Sequence, residues 1–128
     1  MPDVTLTSLE RALKCAEFAL DKKGVDVKIL EIAKISSIAD YLVLATGMSD
    51  KQVQAIADSV RKGLKKFGKA QDIEGVREGK WVVIDYGDVL VHIFVDELRH
   101  YYDLDRLWGD APLIANPEPL PAVPVHNR

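Results

Sequence analysis

A single cysteine, Cys15, leaves no internal disulfide to staple the chain. It falls in a helical pattern with no histidine or second cysteine at ligand spacing, which suits a reducing compartment, so a cytoplasmic protein is expected. No apolar run approaches the roughly 20 residues that cross a bilayer. The start, MPDVTLTSLE, lacks the basic-then-apolar order of a signal peptide, and no membrane partner is expected. Histidine is scarce as well. His92, His100 and His126 stand on different elements without HxH or HExxH spacing. Asp103-Leu104-Asp105 lies among helix-compatible residues, where positions i and i+2 diverge. GxGxxG, GxxxxGK[ST] and GxSxG are all missing, and Cys15 has no nearby base. No metal, no cofactor and no catalytic constellation is expected.

What is present is one domain's worth of chain. At 128 residues with 48% hydrophobic and 29% charged residues, it can bury a core without cross-links. A net charge of -3 argues against a general nucleic-acid binder. The charge is unevenly spread. Residues 81 to 110 hold seven acids and two bases, whereas residues 1 to 80 hold 12 acids and 14 bases. An acidic, aromatic-rich third attracts a basic partner by electrostatic steering, or it is simply a solvated face.

Local signals divide the chain. Thr7 and Glu10 form a capping box that starts a helix, with Leu9, Leu13, Ala16 and Leu20 expected on its buried face and Lys22-Lys23-Gly24 at its end. VKILEI (27–32) and YLVLAT (41–46) read as strands, the second buried on both faces. Ser49 with Gln52 makes a second capping box, launching a helix through Leu64 whose outer face carries Arg61, Lys62, Lys65, Lys66 and Lys69. Those cations suit a helix C-terminus; the other reading is a contact with RNA. Residues 73–76 add a strand. Gly87-Asp88 is a two-residue turn that folds Trp81–Tyr86 onto Val89–Val95. LRHYYDLDRLW then has helix-compatible spacing. Residues 112–128 hold five prolines and no periodicity, which predicts a domain over 1–111 and a disordered tail over 112–128. The pattern predicts an α/β fold, with a mixed sheet flanked by helices.

The hairpin carries the candidate site. Alternation puts Trp81, Val83 and Asp85 on one face of the first strand and Val82, Ile84 and Tyr86 on the other; on the second strand, Leu90, His92 and Phe94 oppose the valines and Ile93. One face is aliphatic and belongs under helices. The other keeps apolar bulk with polar handles, and if no helix covers it, it is an aromatic patch of the kind that marks a partner. Otherwise Trp81 and Phe94 are core, with His92 hydrogen-bonded at the margin. Gly47-Met48-Ser49, between a strand and a helix, resembles the phosphate-holding turn of nucleotidyltransferases. That makes a nucleotide binder or residual nucleotidyltransferase-like protein the alternative, although helix capping explains Ser49 equally well.

Three blocks, IADYLVLATGMSDKQVQAIAD, WVVIDYGDVLVHIF and YYDLDRLWGDA, in this order and spacing resemble the Iojap family of bacterial ribosomal silencing factors across residues 5 to 111. The resemblance implies a nucleotidyltransferase-like fold that lacks the catalytic carboxylates, and a protein that is not an enzyme. It implies binding to the large ribosomal subunit through ribosomal protein L-fourteen and steric blocking of subunit joining, which represses translation under nutrient limitation. A homodimer and a minor contact with ribosomal RNA are further expected associations. Carried onto this chain, the partner-binding residues are Trp81, Asp85, Tyr86, Asp88 and His92 of the hairpin, with Tyr101, Tyr102, Leu104 and Trp108 after it. Aromatics would anchor, while Asp85, Asp88 and Asp103 would meet lysine or arginine of a basic partner.

Overall fold

The computed structural model describes residues 5–115. The order of elements is α1 (Ser8–Asp21), β1 (Val25–Glu31), β2 (Tyr41–Gly47), α2 (Asp50–Leu64) with a 3-10 turn at Lys65–Phe67, β3 (Asp72–Glu74), β4 (Trp81–Asp85), β5 (Val89–Val95), α3 (Asp96–Tyr102), α4 (Leu104–Leu107) and β6 (Leu113–Ala115). Six strands form one mixed sheet in the order β3-β4-β5-β2-β1-β6. Only β2 and β5 pair in parallel; the other neighbours are antiparallel. β2 is central and, apart from Tyr41, buried throughout, in keeping with its lack of a polar face.

Helices α1 and α2 cover the first face of the sheet. The Thr7 hydroxyl accepts from the Glu10 amide at 3.1 Å, and the Glu10 carboxylate accepts from the Thr7 amide at 2.9 Å, so the capping box is complete. The buried stripe of α1 is Ala12, Cys15, Ala16 and Ala19, not the expected leucine stripe; Leu9 and Leu13 are 36% and 46% exposed. Both sets recur at helical spacing. The small residues face inward because α1 sits close against the sheet and α2, where leucines would not fit. Closeness is visible at Gly63, where a Cβ would come within 2.5 Å of the Phe18 ring. Burial pushes the Cys15 thiol up to about 12, so it is an inert core residue.

The second face carries a smaller core of Leu30, Ile32, Ala39, Leu42, Leu44, Phe94 and Ala111, with Leu98, Leu104 and Trp108 packed on it. Sequence spacing suggested one helix across residues 98 to 108; the structure has two short ones, separated at Asp103, whose φ of +51° ends α3. Aspartate tolerates this left-handed conformation better than most residues. The bend lays α4 and Trp108 back over the sheet.

Past Ala111, the chain does not leave the domain where expected. Leu113–Ala115 pair with β1 as an edge strand, and the Glu31 amide donates to the Pro112 carbonyl at 2.9 Å. Proline at 112 sits before the strand, where its missing N–H costs no ladder bond. The rest of the expected tail, 116–128, lies outside the described residues. Truncation after Ala111 is therefore expected to destabilise the fold by about 1–2 kcal/mol, the worth of a few edge hydrogen bonds. A thermal melt of the shortened chain that matches the full one contradicts this.

Candidate partner-binding face

Strand register builds the site. Trp81 lies opposite Phe94, Val83 opposite His92 and Asp85 opposite Leu90, so all six point to the second face. Helices α3 and α4 cover that face over β1, β2 and Phe94, which is fully buried. Over β4, cover is incomplete: Trp81, Val83, Asp85, Leu90 and His92 are all half-buried. β3 adds acid, because Asp72 pairs with Asp85 and Glu74 with Val83, which puts both carboxylates on the same face at the sheet edge. A side-chain hydrogen bond with Asp72, and after it the like charge of that carboxylate, raises the pKa of Glu74.

Aromatic rings run off the sheet in a chain. Trp81 stacks on Phe94 with centroids 5.5 Å apart and meets Tyr102 at 4.6 Å; Tyr102 meets Tyr101 edge-on at 4.9 Å. Tyr101 is 78% and Tyr102 48% exposed, an unusual cost for tyrosines with a core nearby. The Trp81 indole N–H donates to His92 Nδ1 at 3.0 Å, which places the imidazole proton on Nε2 and requires a neutral ring.

Burial holds His92 down at about 4. Because the unfolded chain takes up this proton at higher pH than the folded one, the stability it contributes is full above about pH 6.5 and falls away as pH drops toward 4. Urea unfolding at pH 7 and pH 4.5 should differ by about 2 kcal/mol from this residue alone. A His92→Gln chain that keeps the whole difference refutes the assignment.

The structure brings Trp81, His92, Tyr101 and Tyr102 together and sets Asp85 on the same face. Asp85 also accepts the Gly87 amide at 2.7 Å and so holds the hairpin turn, where Gly87 has φ of +90°. Leu104 and Trp108 lie half-buried beneath, supporting α3 and α4 rather than projecting. Tyr86 and Asp88 do not join the set. Tyr86 is 7% exposed on the helix-covered face, as alternation from Trp81 requires, with the Arg11 guanidinium 5.8 Å from its ring. Asp88, in the turn, is held by Arg11 at 3.0 Å, although its Oδ1 receives no aligned hydrogen bond. Asp103 is half-buried at the helix break.

Sequence reasoning missed the polar network that fixes this geometry. Arg99, 3% exposed, forks onto Asp105 with two bonds of 3.1 Å, and its other nitrogen donates to the Asp26 carbonyl at 2.7 Å and the Thr46 hydroxyl at 3.0 Å. Lys28 reaches Asp105 at 2.8 Å. Burial alone would raise the Asp105 carboxyl, but the hydrogen bonds from Arg99 and Lys28 outweigh it and hold it down at about 2. The one sequence signal was Lys28 on the Leu30 side of a strand, where a cation needs a partner.

The Gly47-Met48-Ser49 turn caps its own helix. Ser49 accepts from the Gln52 amide at 3.1 Å, and the Gln52 side chain accepts from Met48 rather than from Ser49, at 2.6 Å. The same amide group donates to the Lys22 and Lys23 carbonyls, which joins the end of α1 to the start of α2. Among the described residues, no three of histidine, cysteine, aspartate and glutamate gather at metal-binding distance. No helix there is long and apolar enough to cross a membrane.

Fold and face together define a small mixed α/β domain that offers an acidic, aromatic sheet face. The family model described as ribosomal silencing factor during starvation matches residues 5–127, and the chain belongs to this family. It is 46% identical over 103 residues to the ribosomal silencing factor RsfS of Bacillus subtilis, covering 79% of this chain and 87% of that one. It is 32% identical over 111 residues to the chloroplastic protein Iojap of Arabidopsis thaliana, covering 86% of this chain and 46% of that one. A crystal structure of a Chromobacterium violaceum protein superposes with a TM-score of 0.79 at 35% identity, over 95% of this chain and 98% of that one.

Proposed function

We propose that the protein represses translation under nutrient limitation by binding the large ribosomal subunit through ribosomal protein L-fourteen and sterically keeping the small subunit from joining. It acts by occupancy and has no catalytic role. The observation that carries this reading is the half-covered sheet face, where Trp81, Tyr101 and Tyr102 supply apolar anchors beside Asp72, Glu74 and Asp85. Such a face suits a basic protein: rings desolvate against it while the carboxylates accept from lysine and arginine. The setting is the cytoplasm. Self-association belongs to the same reading, as does a minor contact with ribosomal RNA.

Titration of purified protein L-fourteen tests the partner directly. Binding should weaken about tenfold between low and moderate salt, because surface charge pairing is screened. An Asp85→Lys chain that binds as tightly as wild type, or wild type that does not bind at all, overturns the proposal.

A further inference from the structure

On the helix-covered side, away from the aromatic face, the end of α2 and the chain after it line a half-open surface cavity of about 410 Å³, whose charged residues are all exposed. Arg61, Lys62, Lys65 and Lys69 converge on it, opposed by one carboxylate, Asp58. Asp58 is paired with Lys62 at 3.1 Å, so the lining carries a net charge of +3. Among the described residues, Arg61, Lys65 and Lys69 have no ion-pair partner. Tyr86 lines the same cavity. Among the described residues the Tyr86 hydroxyl makes no hydrogen bond, yet it is not among the fully buried atoms without a partner, so it keeps some exposure. Ala70 and Ile73 form an apolar wall.

Cations in the last turn of a helix are ordinary, since they complement its dipole. That does not account for Lys69, which lies beyond both the helix and its 3-10 turn, or for Tyr86, brought in from the residue after β4. Groups from separate segments meeting in one concavity have the form of a ligand site, and the volume falls in the range of about 300–1,000 Å³ usual for small molecules.

We propose that this cavity binds a nucleoside diphosphate, with its phosphates on Arg61, Lys65, Lys69 and the Tyr86 hydroxyl and its nucleoside against Ala70 and Ile73. A diphosphate monoester carries about three negative charges at neutral pH, which matches the lining. Charge-assisted hydrogen bonds from arginine and lysine are the usual means of holding such groups. An RNA chain fits less well. It would have to extend over a protein of net charge -3. The site lies at the opposite end of α2 from the Gly47-Ser49 turn, and it stands independently of ribosome binding.

Calorimetry on the full chain tests this, with ADP, GDP, inorganic pyrophosphate, adenosine and an eight-nucleotide RNA as probes. The diphosphates should bind with a Kd below about 100 μM, pyrophosphate about tenfold more weakly, and adenosine not at all. Arg61→Glu and Lys65→Glu, both at exposed positions, should each weaken ADP and GDP at least about tenfold without lowering the melting temperature, and Tyr86→Phe about threefold. No saturable heat from either diphosphate at about 5 mM overturns the proposal. So does unchanged binding by a folded Arg61→Glu/Lys65→Glu chain, or binding of the RNA alone.

Discussion

Arg99→Ala is expected to lower stability by about 3 kcal/mol and the melting temperature by about 10 °C. The guanidinium is among the most buried charged groups described, and it satisfies four acceptor atoms on three segments: both oxygens of the Asp105 carboxylate, the Asp26 carbonyl and the Thr46 hydroxyl. Its removal leaves a cavity, an unpaired hydroxyl inside the sheet and a carboxylate with only Lys28 for company. Asp105 is partly exposed, which keeps the cost at the lower end for a broken buried pair. Arg99→Lys should recover little, since an ammonium cannot fork onto a carboxylate. Acid should act on the same network: Asp105 is held down in the folded state, so its contribution is present above about pH 4 and is lost as pH falls toward 2. Denaturant titration measures all three. An Arg99→Ala chain within about 1 kcal/mol of wild type would show that the network is ornament.

Tyr102→Ala has the second large expected effect, and on a different quantity. Tyr102 is half exposed and touches the face through Trp81, so its loss should cost little stability while removing a preformed anchor. A central aromatic at a protein interface is worth about 2 kcal/mol, so affinity for the large ribosomal subunit should fall about thirtyfold. Trp81→Ala should lose at least as much but is less clean, because the indole also packs on Phe94 and holds His92. Tyr101→Phe, which keeps the ring, should lose little. Full affinity in Tyr102→Ala would move the docking surface elsewhere on the molecule.

Much of this was legible where one local rule governs the outcome. The Thr7–Glu10 box, the Gly87-Asp88 turn and the fully apolar β2 each follow from neighbours in the chain, and alternation from Trp81 alone separates the covered face of the hairpin from the half-covered one. Failures came where distant contacts choose between equal local options. Helical spacing allowed α1 two apolar stripes, and only the close approach of the sheet and α2 selects the alanines. The same spacing allowed one helix over 98–108 until Asp103, in a left-handed conformation, turned α4 back. That turn brings Asp105 under Arg99, six residues away, a pairing that no helical periodicity predicts. Tyr86 and Asp88 were carried into the partner-binding set by the family resemblance of the hairpin, although the pleat sends Tyr86 to the face opposite Trp81. Prolines after 111 suggested an unfolded tail, but β1 had an unpaired edge that Leu113–Ala115 satisfy.

In the proposed function, an acidic, aromatic sheet face keeps ribosomal subunits apart by occupying one of them. Sedimentation of the protein with isolated large subunits, isolated small subunits and both together measures this directly. The account predicts co-sedimentation with the large subunit alone, fewer joined ribosomes when the protein is added, and neither effect with the folded Tyr102→Ala/Asp85→Lys chain. Protein that stays at the top of every gradient, or joined ribosomes that form equally well in its presence, would contradict it.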